Sequence, residues 1–291
     1  MTLLKHCCFL IVVLCCSCSI LFAAGAVAPP NALYIAPLEW DGTLYGPVGC
    51  TSCQPTWHIA QWNIPEELPD QWLNLSDGWY TANEHGRVKY YNSSSRYEIA
   101  QNGTNGLSCG LEYNLFISPT INDGANYPTF PSGFTPSVPL NELGYIIHSV
   151  GSRVVYEQVN SGCGLNYVAY TTAMIFTNSY NNQVFYYQII LRDSRGIQPD
   201  KSWAPTLHGP IEYCLDDGIH VYNKSYLTKG GSRKVYLINI LTRVKTILQS
   251  GDYGIDTNLA HWRLTGSYIG HLLQGKVIPT SQWDSYALTA N

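Results

Sequence analysis

Charge is what this chain has least of. Asp, Glu, Lys and Arg make up 12% of the residues, about half the ~25% of an ordinary globular protein. The balance is mildly acidic at −4, and no stretch collects Lys and Arg. That argues against nucleic acid as a partner, since neutralising phosphates takes clustered cations. Catalytic signatures are missing too. There is no Gly-x-Ser-x-Gly elbow of a serine hydrolase and no His-Glu-x-x-His of a zinc enzyme. The histidines from His58 to His271 are scattered, so each reads as a surface or core residue and no metal site is expected. No alternation of strand and helix suggests a βαβ fold, which removes the usual setting for a redox Cys-x-x-Cys. Beyond the first 26 residues no run approaches the ~18–20 apolar residues of a membrane helix.

Those first residues, "MTLLKHCCFLIVVLCCSCSILFAAGA", place Lys5 before a long apolar centre and end on Ala23, Ala24, Gly25 and Ala26. The layout is that of a secretory signal peptide at 1–26, with 27–291 as a single extracellular domain. Five of the ten cysteines leave with the leader. Cys50, Cys53, Cys109, Cys163 and Cys214 remain and should mostly pair in an oxidising compartment. A local Cys50–Cys53 disulfide is expected, with one further bridge among the other three. Sequons at Asn74, Asn92, Asn102 and Asn223 mark candidate glycosylated surface loops.

What the chain does have is tyrosine, 22 of them, and a hydrophobic period of two. The stretches 111–118, 153–160, 167–178, 184–193, 261–270 and 281–290 read as strands bounded by Gly, Asn and Pro. "NSYNNQ" (178–183) reads as a hairpin turn. One segment breaks the period. Leu237, Ile240, Leu241, Val244, Ile247 and Leu248 recur at helical spacing before Gly251, predicting a helix of about three turns. Residues 119–140 carry five prolines and read as a long loop at one rim. Many strands and one helix predict an all-β, jelly-roll-like antiparallel β-sandwich with one short helix packed on the sheet.

Alternation assigns faces. In 184–193, Phe185, Tyr187, Ile189 and Leu191 form a core row, continued by Asp193, while Tyr186, Gln188, Ile190 and Arg192 form a mixed one. In 111–118, Glu112, Asn114, Phe116 and Ser118 are the mixed row. Aromatic rings with amides and charges suit a sugar, whose C–H faces stack and whose hydroxyls hydrogen-bond. Glu112, Asn114, Tyr186, Gln188 and Arg192 are therefore the expected carbohydrate-binding residues. Arg192 and Arg195 flank Asp193, which reads as an Asp–Arg clamp at a turn that Gly196 permits. Asp193 is also a candidate catalytic carboxylate.

Glycoside hydrolysis needs two carboxyl groups about 5–10 Å apart. Glu112 is the best single candidate, with Glu157, Asp193 or Glu212 as its possible second. In general form the chain resembles the concanavalin A-like class of lectins and glucanases. The resemblance is at class level and carries over no catalytic residue, because the Glu-x-Asp-x-x-Glu strand of the laminarinase-like enzymes is absent. Asp252, Asp256 and Asn258 in "DYGIDTN" could serve calcium, though turn and cap roles suit them better. No other cofactor is expected. Three readings follow: a secreted lectin-like protein binding glycan on a concave sheet, a polysaccharide-degrading glycoside hydrolase on the same architecture, or an extracellular structural protein without a small ligand. Expressed in a secreting host, the protein is expected in the medium with its N-terminus near Gly25 or Val27. N-terminal sequencing checks this, and an intact chain held in membranes contradicts it.

Overall fold

β-Branched and aromatic residues at every second position drive most of the chain into strands. The computed structural model describes residues 58–66, 68, 69, 73–94, 96–105, 107–118, 138–196, 202–205, 211–215 and 225–290. The expected leader, Cys50, Cys53, Asn223 and residues 119–137 of the Pro-rich loop lie outside them. The strands are β1 (His58–Trp62), β2 (Leu73–Leu75), β3 (Gly78–Ala82), β4 (Gly86–Tyr91), β5 (Arg96–Gln101), β6 (Glu112–Ser118) and β7 (Ile146–Val159). They continue with β8 (Tyr167–Asn178), β9 (Val184–Asp193), β10 (Ser202–Pro205), β11 (Ile211–Leu215), β12 (Lys234–Asn239), β13 (Trp262–Gln274) and β14 (Val277–Ala290).

They form two seven-stranded sheets. The first runs β1-β6-β13-β8-β9-β11-β10 and the second β12-β7-β14-β5-β4-β3-β2. All pairings are antiparallel except β9 with β11, which is parallel. The fold is the all-β jelly-roll-like sandwich that the period of two predicts. The chain passes from one sheet to the other at Gly275, where φ is 74° and an added Cβ would lie 2.3 Å from the Leu165 carbonyl oxygen. Only glycine fits there. A Cys109–Cys163 disulfide ties the segment before β6 to the β7–β8 connection. This is the second bridge expected from the cysteine count.

The helical reading was right in kind and too long at its start. Lys234–Asn239 is the edge strand β12, and Leu237 on it is 62% exposed. The helix α1 is Leu241–Gln249, with Leu241, Val244, Ile247 and Leu248 buried against the core. Apolar spacing cannot distinguish a short strand followed by a helix from one longer helix. Gly251, at φ 70°, follows the helix end, as the stop signal requires. No helix among the described residues is long and apolar enough to cross a membrane. Of the sequons, Asn74 falls on β2, Asn92 in a 3-10 turn after β4, and Asn102 in the turn after β5.

Aromatic and aliphatic side chains fill the space between the sheets, Trp262, Trp283, Tyr97, Tyr187 and Phe176 among them. Two polar ties cross that space. His271 of β13 is fully buried, with Nε2 2.6 Å from Ser281 Oγ and Nδ1 3.2 Å from Gln101 Oε1. His148 of β7 is equally buried, with Nε2 3.0 Å from Thr172 Oγ1 of β8. Burial holds both imidazoles neutral and lowers their pKa to about 3. The unfolded chain takes up these protons near pH 6.5 and the folded chain does not. Stability is therefore complete above that pH and falls as pH drops toward 3, by about 1.4 kcal/mol per pH unit for each histidine. Urea unfolding at pH 7.5 and 4.5 checks this. His148→Gln or His271→Gln should each lessen the acid loss, and an unchanged loss in both would contradict it.

Candidate active site

The outer face of the first sheet is arranged in rows. Glu112, Gln274 and Tyr167 align across β6, β13 and β8. The next row is Asn114, Leu272, Ala169 and Asp193, and the next Phe116, Gly270, Thr171 and Ile190. Further along, Tyr186 of β9 aligns with Ile175 of β8 and Glu212 of β11. The middle of this face is closed and apolar. Phe116, Ala173, Ile175, Val184 and Tyr268 form one buried cluster. The Phe116 and Tyr268 rings meet at 4.3 Å above Gly270, where a Cβ would come within 2.3 Å of the Leu115 carbonyl oxygen.

Glu112 stands in the row nearest the rim and is half-buried. Its Oε2 accepts from Tyr167 Oη at 2.8 Å and its Oε1 from Asn114 Nδ2 at 2.9 Å. Asn63 Nδ2 holds the Glu112 carbonyl at 2.8 Å. The Arg195 guanidinium lies 3.8 Å from the centre of the Tyr167 ring. Burial, then the charge of Glu112, pushes the Tyr167 hydroxyl well above its ordinary pKa, with Arg195 opposing. Tyr167 therefore stays protonated and stays a donor to Glu112.

Arg195 also clamps Asp193. Its Nε is 3.0 Å from Oδ1, its Nη2 2.5 Å from Oδ2, and its backbone N–H donates to Oδ1 at 2.7 Å. Gly196 follows at φ 106°. The clamp is the one expected from the sequence, but its face is not. Register slips by one residue between Tyr170 and Thr171 on β8, so Arg192 pairs with Tyr170 and Asp193 with Ala169. A bulge at Leu191 thus turns Asp193 to the outer face and Arg192 into the sandwich. A second slip leaves Val155 extra on β7. Glu157 then faces inward, and Arg192 meets it with Nε to Oε2 at 2.9 Å and Nη2 to Oε1 at 2.6 Å. The hydrogen bonds to Glu157 raise the Arg192 pKa further, against its burial.

Five strand carboxylates have described side chains, and four of them hold an arginine. Glu98 pairs with Arg87, Glu157 with Arg192, Asp193 with Arg195 and Asp284 with Arg233. Glu112 alone is held by neutral donors, a phenol and an amide.

Of the expected binding residues, Glu112 and Asn114 stand together. Tyr186 is half-buried, edge-on to Tyr268 at 6.4 Å. Gln188 is 0% exposed, its Nε2 donating to Tyr268 Oη at 2.7 Å. Arg192 has left this face. Tyr167 and Arg195 were not singled out as site residues. With 22 tyrosines, composition could not select Tyr167, and only its place beside Glu112 does. The calcium triplet serves the local turn instead. Asp256 takes hydrogen bonds from Asn258 N, His261 Nδ1 and Asn178 Nδ2, which lower its pKa to about 2. Asn258 Oδ1 caps a 3-10 turn through Ala260 N, and Asp252 is exposed.

No family model and no curated protein matches this chain. Among solved structures it is similar to a family 12 xyloglucanase from Bacillus licheniformis, at 12% identity and TM-score 0.46, covering 80% of this chain and 100% of that one. It is similar to the endoglucanase cel12A from Rhodothermus marinus, at 12% identity and TM-score 0.45, covering 80% and 99%. It is also similar to the xyloglucanase domain of NopAA from Sinorhizobium fredii, in complex with cellobiose, at 10% identity and TM-score 0.39, covering 75% and 96%. The expectation of a lectin is corrected at this point. The named neighbours are polysaccharide-cleaving enzymes. The physical reason lies in the face itself: Gln188 is buried and a bulge withdraws Arg192, so the five residues do not line one open glycan groove.

The Arg192–Glu157 pair yields an asymmetric prediction. Glu157 is 4% exposed, so Arg192→Met strands a buried carboxylate at a cost of about 3–5 kcal/mol. Glu157→Met should cost less, since the guanidinium can reach water. The double variant should recover most of the loss. Denaturant midpoints of the three proteins measure this, and equal, additive losses would contradict the buried pair.

Proposed function

We propose that this protein is a polysaccharide-degrading glycoside hydrolase whose reacting carboxylate is Glu112. The observation that carries the reading is the pairing pattern. Every other strand carboxylate with a described side chain is paired with an arginine, which commits it to a structural ion pair. Glu112 is held by Tyr167 and Asn114, neutral donors that orient a carboxylate without pairing it to a cation. That is what a nucleophile or a base toward water needs at a sugar's anomeric carbon.

Glu112 supplies the nucleophile or base of the pair. Asp193 and Glu157 are poor choices for the acid half, since Arg195 clamps the first and Glu157 lies inside the sandwich against Arg192. Glu212 is no better, because it lies four strands from β6, roughly 19 Å across the sheet. In this reading the buried aromatic cluster floors the site, and the Asp193–Arg195 clamp carries Tyr167 toward Glu112. The substrate class taken from the named neighbours is a β-glucan such as xyloglucan. An extracellular workplace fits the Cys109–Cys163 disulfide, which persists in oxidising compartments.

Reducing-sugar release from xyloglucan, β-glucan and cellulose tests the reading. The wild-type protein should cleave at least one of them. Glu112→Gln should lose activity by about 10²–10⁴-fold, as expected for a lost acid–base or nucleophilic group, with its melting temperature nearly unchanged. Full activity in Glu112→Gln, or no hydrolysis by the wild type, would refute it.

A further inference from the structure

A second constellation sits away from Glu112, where the β3–β4 turn meets the chain between β1 and β2. Glu66, Glu84 and His85 each bring one ligand atom to this spot, all within 4.8 Å of one another. Both glutamates are exposed and His85 is 7% exposed. The ring is poorly satisfied for so buried a group. Its Nε2 lies 3.5 Å from Glu84 Oε1, and its Nδ1 is buried with no hydrogen-bond partner. A buried polar atom left this way costs free energy.

The backbone around the three is already in place. Asn83 Nδ2 donates to the Glu66 carbonyl at 2.7 Å, and Asn83 Oδ1 accepts from the His85 and Gly86 N–H groups at 2.9 and 3.1 Å. Asn105 Nδ2 holds the Glu84 carbonyl at 3.1 Å, and Asn102 N–H the His85 carbonyl at 2.8 Å. Two donors are thus presented on the hydrogen-bonded β3–β4 turn and the third on the chain held against it, and the two exposed glutamates can close on an ion.

We propose that Glu66, Glu84 and His85 form a divalent transition-metal site, with zinc as the fitting ion. One imidazole and two carboxylates make a mixed nitrogen–oxygen set. That set suits Zn²⁺ and leaves a fourth position toward solvent for water, whereas Ca²⁺ and Mg²⁺ prefer all-oxygen cages. The ion would bind the imidazole in place of the long 3.5 Å contact to Glu84 and tie the chain before β2 to the β3–β4 turn. It stands independently of the hydrolase reading.

The test is metal binding to the purified full chain after EDTA treatment. ZnCl₂ titration by calorimetry should show one saturable site, and CoCl₂ should give the visible absorption of a low-coordinate site. Glu66→Gln and Glu84→Gln, both at exposed positions, should each weaken Zn²⁺ by at least about tenfold through loss of one donor in three. The melting temperature of the metal-free variants should match wild type. His261→Gln, which alters the other histidine–carboxylate pair, should bind Zn²⁺ as wild type does. No saturable binding, binding retained in both glutamate variants, or binding lost in His261→Gln would overturn the proposal.

Discussion

A carboxylate taken out of water by a β-sheet has to be met by a cation or by enough donors, and the ends of this sandwich are organised around that requirement. Glu157 would be stranded between the sheets without Arg192. Asp193, almost wholly buried, would be stranded on the outer face without Arg195. The first pairing depends on one-residue slips in two strands, and one of those slips also sets the face on which Asp193 meets Arg195. The bulges at Leu191 and Val155 aim Arg192 and Glu157 at each other across the interior. The protein has few charges, and four of the five strand carboxylates with described side chains are held by arginine.

Against that background Glu112 is unusual because it is not neutralised. Two neutral donors, Tyr167 and Asn114, fix its orientation. Tyr167 links it to the clamp, since the same ring lies under the Arg195 guanidinium. One chain of contacts joins the two: the turn that Asp193 and Arg195 hold lies against the phenol that holds Glu112. The interior shows the same economy. His148 and His271 stay uncharged by burial and spend their nitrogens on hydroxyl and amide partners contributed by both sheets.

Much of this was legible beforehand. Phe185, Tyr187, Ile189 and Leu191 form the core row that alternation assigns, and Glu112 and Asn114 share the outer face of β6. The Asp193–Arg195 clamp and the stop at Gly251 were readable as well. Arg192 was misassigned because period-two reasoning assumes an unbroken register, and a bulge has no reliable signal in a single sequence. Leu237 was misassigned because an apolar residue on an edge strand fits a helical spacing equally well.

The sequence by itself determined the class of the fold, since β-branched and aromatic residues at alternate positions leave a chain little choice but paired sheets. It also put Glu112 and Asn114 on the same face of β6, with Glu112 the only carboxylate of that strand. Only the tertiary structure decided which carboxylates are silenced by arginine and which one is not, which tyrosine of 22 stands beside Glu112, and that His85 meets Glu66 and Glu84. The physical reason is the same in each case. These groups lie on different strands or turns, and their meeting depends on strand order and register, which short-range pattern does not encode.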